Sequence, residues 1–280
     1  MLKIENVEVL GWEAAIRGMR NPMNSWEKSD SDYRPILCKR CDNCMSYQLE
    51  HWEDCEKCEV EMETSSHNGF MIGPNDHDLM MRLCNAGTDH RKFMRMIVVY
   101  VDILAPLYWW KEFDTYKVGT VANSCSTMHK IHAKEFEFDD FSHEKLINSA
   151  CMEIQEQHIR LSPIQTLATM IECLNSYRDL YLQTKDKKYW WQLIQLLPSS
   201  YNQKRTVMLN YEILANIYKS RRNHKLDEWH TFCDWIESLQ YSELITGMKI
   251  DESVIDALNA MWNINAATAG DISAAVKAFE

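Results

Sequence analysis

The run Phe93–Pro106, FMRMIVVYVDILAP, leaves this chain the fewest choices. Its centre is β-branched and aliphatic, with Asp102 as the charge inside it. Such a stretch favours a pleated, buried strand over a helix. The apolar run from Met96 to Trp110 is too short to cross a bilayer. It reads as a strand inside a folded core, closed by Pro106, which has no amide hydrogen to give a ladder. With 280 residues, 46% hydrophobic and 25% charged, the chain can build that core as a single domain over 1–280 with decorations.

Around that strand the pattern is mixed. Leu2, Ile4, Val7 and Val9 mark a strand over 2–10, and GWEAAIRGM after it is helical. Residues 22–35 are turn-rich. Asn75 or Asp76 is placed to cap a helix carrying Leu79, Met80, Leu83 and Cys84, stopped near Gly87. Residues 107–114 begin a helix, and KVGTVANSCST (117–127) reads as a loop. Ser162-Pro163 starts a helix whose apolar face is Leu167, Met170, Ile171, Leu174, Tyr177 and Tyr181. Helices are expected over 187–197 and 203–220, joined by the turn Pro198-Ser199-Ser200, and over 226–238, with a weakly helical tail from Asp251. The fold class is α+β.

The net charge of −11 argues against a duplex nucleic-acid partner but leaves room for a small anion, which needs only a few local cations. The N-terminal MLKIENVEVLGW lacks a basic stretch followed by an apolar one, so a cytoplasmic, non-membrane protein is expected.

Five of the ten cysteines crowd into CKRCDNCMSYQLEHWEDCEKC, residues 38–58. Cys38 with Cys41, and Cys55 with Cys58, form two knuckle-like pairs, with Cys44 as an alternative to Cys41 and His51 as a further candidate. Four thiolates make a closed tetrahedral zinc site, which folds a loop rather than activating water. A Cys-rich zinc insertion over 36–72 is expected; an iron–sulfur cluster is the alternative.

Three segments, in order, resemble the flavin-dependent thymidylate synthases: LMMRLCNAGTDHRKFMRMIVVYVDILAP (79–106), APLYWWKEFDTYKVGTVANSCSTMH (105–129) and LLPSSYNQKRTVMLNYEILANIYKSRRNHKLDEWH (196–230). The resemblance implies a mixed or antiparallel sheet with long helices. It also implies dUMP or a related pyrimidine nucleotide as substrate, FAD, a folate carbon donor and a homotetramer whose sites are shared between subunits. A compact, divergent version suits a phage.

Residue roles follow from the same likeness. The 203–220 helix would carry Asn210, Leu214, Ile217 and Arg221 on one face. Asn210 would turn to the flavin and Arg221, whose fork matches phosphate oxygens, to the nucleotide. His90 and Asn123 are further cofactor-side positions. The motifs differ here, however. Lys111-Glu112 stands for Arg-Gln, and Thr115-Tyr116-Lys117 for Arg-His-Arg. Cys125, or Ser126 with a one-residue shift, stands for the motif serine, and Glu212 sits where arginine is common. Lys111 and Glu112 are thus substrate-side candidates. Tyr116, Lys117, Cys125 and Ser126 are the catalytic ones; a thiolate beside a cation is suited to add to C6 of a pyrimidine.

Two readings of function stand. One is a synthase-type enzyme that methylates or hydroxymethylates C5. The other is a nucleotide-binding or interaction protein that keeps the fold without flavin chemistry. Trp109-Trp110 and Trp190-Trp191 are expected to serve packing.

Overall fold

The computed structural model describes residues 2–35, 68–149, 152–154 and 159–247. The paired cysteines Cys38, Cys41, Cys55 and Cys58 and the tail from Asp251 lie outside them. The chain divides into two compact units, Met1–Leu10 with Val98–Thr246 and Gly11–Ile97 with Gly247–Glu280.

The first unit is built on an antiparallel sheet in the order β1 (Lys3–Leu10), β4 (Val98–Pro106), β8 (Asn202–Asn210), β5 (Val121–Ser124). The Phe93–Pro106 run supplies the inner strand β4, hydrogen-bonded to β1 on one edge and β8 on the other. Val99, Val101, Ile103 and Ala105 are fully buried along one face. Burying a Val or Ile side chain stabilises by roughly 1.5–3 kcal/mol. Asp102 points to the opposite face. It accepts hydrogen bonds from Thr206 (2.6 Å) and Asn6 (2.9 Å) and pairs with Lys204 (3.2 Å), which hold its carboxyl down at about 2. Asn6 adopts φ 51° inside the irregularity of β1 between Glu5 and Glu8, which turns its amide toward Asp102. A charge is thereby accommodated in the most apolar run of the chain.

After Pro106 the chain enters α3 (Leu107–Phe113), and Trp109, Trp110 and Phe113 are buried. Their rings meet those of α7 (Asp227–Glu237): Trp109 lies 4.7 Å from Trp229 and 5.5 Å from Phe232, centroid to centroid. A second buried cluster joins Ile131, Phe136 and Phe141 to Leu167, Ile171 and Leu174 of α4 (Pro163–Thr184) and Leu193 of α5 (Lys187–Leu196). The α4 start is the expected one. Ser162 accepts from the Gln165 amide and Gln165 returns the bond, a reciprocal cap. Trp191 of the second tryptophan pair is 42% exposed, so it is surface rather than core of this chain. A short hairpin of β6 (Met152–Ile154) and β7 (Ile159–Leu161) precedes α4.

Two expectations in this unit need correcting. Residues 203–220 are not one helix: the first part is β8 and the second is α6 (Tyr211–Arg221). Val207 and Leu209 are buried at every second position, and β8 bonds to β4 and β5 on its two edges. Ladder pairing on both edges overrides the helical spacing of Leu214 and Ile217, which governs only the later part. The loop expected over 117–127 contains β5, whose side chains are all exposed; strand formation there rests on pairing with β8 rather than on burial.

The second unit holds α1 (Trp12–Arg20), the hairpin of β2 (Asp32–Pro35) with β3 (Asn68–Met71), and α2 (Pro74–Asn85). Helix α1 leaves Gly11, whose φ of 97° and approach to the Met96 carbonyl exclude a side chain; a Cβ there would lie 2.1 Å from that oxygen. The α2 start also differs from expectation. Pro74 is the first helical residue, and neither Asn75 nor Asp76 caps it. The carboxylate of Asp30, from the preceding loop, accepts from the amides of Asn75 (2.9 Å) and Asp76 (3.1 Å). Asp76 is instead buried against Arg20 at 2.6 Å. No described helix is long and apolar enough to cross a membrane.

Candidate functional site

Helix α6 is positioned by the switch at Asn210. The backbone of Asn210 is still extended, and its side-chain oxygen accepts from the Ile213 amide at 3.1 Å. This changes the expected face. Leu214, Ile217 and Arg221 are helical, but the Asn210 side chain is a helix cap. Leu214 and Ile217 are fully buried, so the register leaves Arg221 at the end of the helix with its head only 17% exposed.

Four side chains from three segments converge on that guanidinium. Arg221 donates Nη1 to Glu112 Oε2 at 2.8 Å and Nε to the Tyr116 hydroxyl at 2.9 Å. Its plane lies over the Trp229 ring, 4.8 Å from the centroid. The Trp229 indole N–H donates to the same Glu112 oxygen at 2.9 Å. His224 Nε2 is 3.3 Å from that oxygen too. Because His224 Nδ1 accepts from the Leu226 amide, a neutral ring carries its proton on Nε2, toward Glu112. Glu112 is thus held by three donors on one oxygen.

Beside this network lies a shallow pocket open to solvent, with about 430 Å³ of empty space, lined by Thr115, Tyr116, Val118, Ile213 and Asn216. Tyr116 belongs to both. The 115–119 connection bends over the start of α6 at Gly119 (φ 80°), where a Cβ would sit 3.0 Å from the Ile213 side chain.

Of the residues singled out from sequence, the structure brings Glu112, Tyr116 and Arg221 together. Lys111 and Lys117 are exposed. Asn123 is exposed on β5 opposite Thr206. Cys125 is exposed and follows β5, its amide donating to the Lys204 carbonyl at 2.9 Å. Ser126 Oγ accepts from the amides of Met128 (3.2 Å) and His129 (3.0 Å), so it organises a turn. His90 is exposed in the turn after α2, in the second unit. Trp229 and His224 were not singled out. Their stretch, HKLDEWH, lies in the third resembling segment, but only the turn between α6 and α7 brings both to Glu112.

The donors at the motif positions differ from the cationic set the resemblance implies for FAD. The Thr115 hydroxyl donates to the Glu112 carbonyl at 2.7 Å, and Tyr116 meets Arg221. The neighbouring Arg205 is engaged by Asp114 (2.7 Å) and Gln203 (3.0 Å) over the Trp110 ring. Among the described residues there is no cluster of three or more His, Cys, Asp or Glu that could hold a metal ion.

Against solved structures, the chain is similar to thymidylate synthase ThyX from Helicobacter pylori with FAD and dUMP. Sequence identity is 14%, the TM-score is 0.54, and the match covers 88% of this chain and 98% of that one. A second structure of the flavin-dependent ThyX from the same organism, complexed with FAD and dUMP, matches at 15% identity and TM-score 0.53 over 87% and 99% of the two chains. These likenesses establish a ThyX-like fold. A UMP/dUMP methylase, PolB from Streptomyces cacaoi, aligns at 11% identity over 85% and 89% with a TM-score of 0.47. No family model matches the chain, and no curated protein does.

Proposed function

We propose that this chain takes a pyrimidine nucleotide of the dUMP kind, with its phosphate at Arg221, and acts on C5 by methylation or hydroxymethylation. The observation that carries the reading is the placement of Arg221. A guanidinium mostly withdrawn from solvent is oriented by Tyr116 and Trp229 at the rim of an open pocket. A preoriented fork of this kind suits a phosphate. The pocket's mixture of apolar wall, hydroxyls and amide suits a nucleoside. The ThyX structures of similar fold contain FAD and dUMP. In this reading a folate supplies the carbon and a flavin the reducing equivalents. Cys125, with Lys117 nearby in sequence, is the candidate nucleophile, and the working form is a homotetramer.

One observation favours a second reading, a protein that keeps the nucleotide site without flavin chemistry. Glu112 neutralises Arg221, and the motif's other cations are replaced. Calorimetry with dUMP, dCMP and dTMP on the wild type and Arg221→Ala tests what both readings share; binding unaffected by the substitution defeats both. Flavin bands in the absorption spectrum, with dUMP consumed in the presence of folate donor and reductant, select the enzyme. A colourless protein that binds dUMP without turnover selects the second reading.

A further inference from the structure

The Glu112 carboxylate stands where a ligand's anion has to go. Its Oε2 takes Nη1 of Arg221 at 2.8 Å, so an incoming phosphate meets a guanidinium that already has a counter-ion. The exchange is nevertheless feasible. When Arg221 turns to a ligand, Glu112 keeps the Trp229 indole N–H at 2.9 Å and His224 Nε2 at 3.3 Å. It is also 34% exposed, so no bare charge is stranded in a dry interior. Arg221 keeps its Tyr116 contact and its stacking on Trp229.

We propose that Glu112 is a specificity-determining residue. It competes with the ligand for Arg221, so the site admits dianionic phosphate monoesters and rejects monoanions such as phosphodiesters and carboxylates. This rests on the nucleotide reading above and adds a selection rule to it. Replacing one monoanion by another on the same guanidinium gains little, and the displaced carboxylate then repels the newcomer at short range. A phosphate monoester carries between 1.5 and 2 negative charges at neutral pH, about twice the charge of its competitor. Its attraction to Arg221 therefore exceeds that of the carboxylate it displaces.

The test is calorimetric titration of the full chain with three probes: dUMP, the monomethyl ester of its 5′-phosphate, and deoxyuridine. Wild type is expected to prefer dUMP to the ester. In Glu112→Gln the ester should gain at least about tenfold more affinity than dUMP does, since the removed charge mattered most to the weaker anion. Deoxyuridine should bind equally to both proteins. Glu112→Asp keeps the charge and should keep the wild-type preference, which separates charge from any loss of folding. An unchanged dUMP-to-ester ratio in Glu112→Gln overturns the proposal. So does weaker binding of all three probes, which would make Glu112 a direct ligand contact. If Arg221→Ala abolishes dUMP binding while the ratio persists in Glu112→Gln, only the selection rule fails. If Arg221→Ala binds dUMP like wild type, or no protein binds it, the nucleotide reading fails and the rule with it.

Discussion

Arg20 with Asp76 and Arg221 with Glu112 are both arginine–carboxylate pairs at hydrogen-bond distance, yet they are built for opposite ends. Arg20 and Asp76 are 4% and 0% exposed. Arg20 spends its remaining donors on the carbonyls of Ser25 (3.1 Å) and Lys28 (3.0 Å). Asp76 collects the hydroxyls of Ser29 (2.7 Å) and Ser31 (2.6 Å) and the amides of Asp30 and Ser31. The pair is saturated, and it ties the loop before β2 to the start of α2. Arg221 and Glu112 are 17% and 34% exposed and edge a pocket, and every donor to Glu112 converges on a single oxygen. A saturated buried pair is part of the fold; an unsaturated pair at a pocket rim is able to exchange partners.

The largest expected effect of breaking this contrast is on stability. Asp76→Ala leaves a guanidinium buried without its counter-ion and should cost 3–5 kcal/mol, in the range of roughly 3–5 kcal/mol for broken buried pairs. Urea unfolding reads it directly. A cost below about 1 kcal/mol would mean that water reaches Arg20 in solution and that the pair is not closed. Next comes Arg221→Ala, where the same kind of lesion should appear in binding instead. Nucleotide affinity should fall about a hundredfold, as for loss of a charged hydrogen-bonding group, while stability changes by about 1 kcal/mol or less. If stability falls as far as in Asp76→Ala, Arg221 is structural and the distinction collapses.

Acid should separate the saturated pair from the rest by sign. Burial alone would raise the Asp76 carboxyl, but hydrogen bonds from Ser31, Ser29 and Arg20, with the charge of Arg20, outweigh it and hold the group below its ordinary 3.8. A carboxyl depressed in the folded state adds stability above its unfolded value and loses it as pH falls through the folded one. Wild type should therefore lose unfolding free energy on acidification below 3.8 by an increment that Asp76→Asn lacks. Parallel wild-type and variant curves across that range would show the carboxyl to be unpaired.

Sequence foretold the strands β1 and β4, the Ser162-Pro163 start of α4 and the ThyX-like fold, because each depends on local chemistry or on an ordered set of motifs. It missed β8, whose strand state comes from neighbours at both edges rather than from its own residues. It named Arg221, Glu112 and Tyr116 but set them in separate roles. Their meeting depends on the turn at Asn210 and on where α3 ends, neither of which spacing encodes. Trp229 and His224 were unreadable for the same reason. The Arg20–Asp76 pair joins residues 56 apart, and nothing in either neighbourhood announces a buried charge.

The smallest effect is expected two residues along the same helix. Asp78 pairs with Arg82 at 2.9 Å, one helical turn away, in a geometry as good as that of the pair at Asp76. Both side chains are 67% exposed, however, so water solvates each ion nearly as well apart as together. Asp78→Ala should therefore cost less than about 0.5 kcal/mol. Measured beside Asp76→Ala under one set of conditions, it holds the helix and residue type constant and varies only burial and saturation. Equal losses from the two substitutions would mean that the number of partners and their dryness do not set the worth of these pairs. The assignment of Arg221–Glu112 to exchange rather than structure would then lose its physical ground.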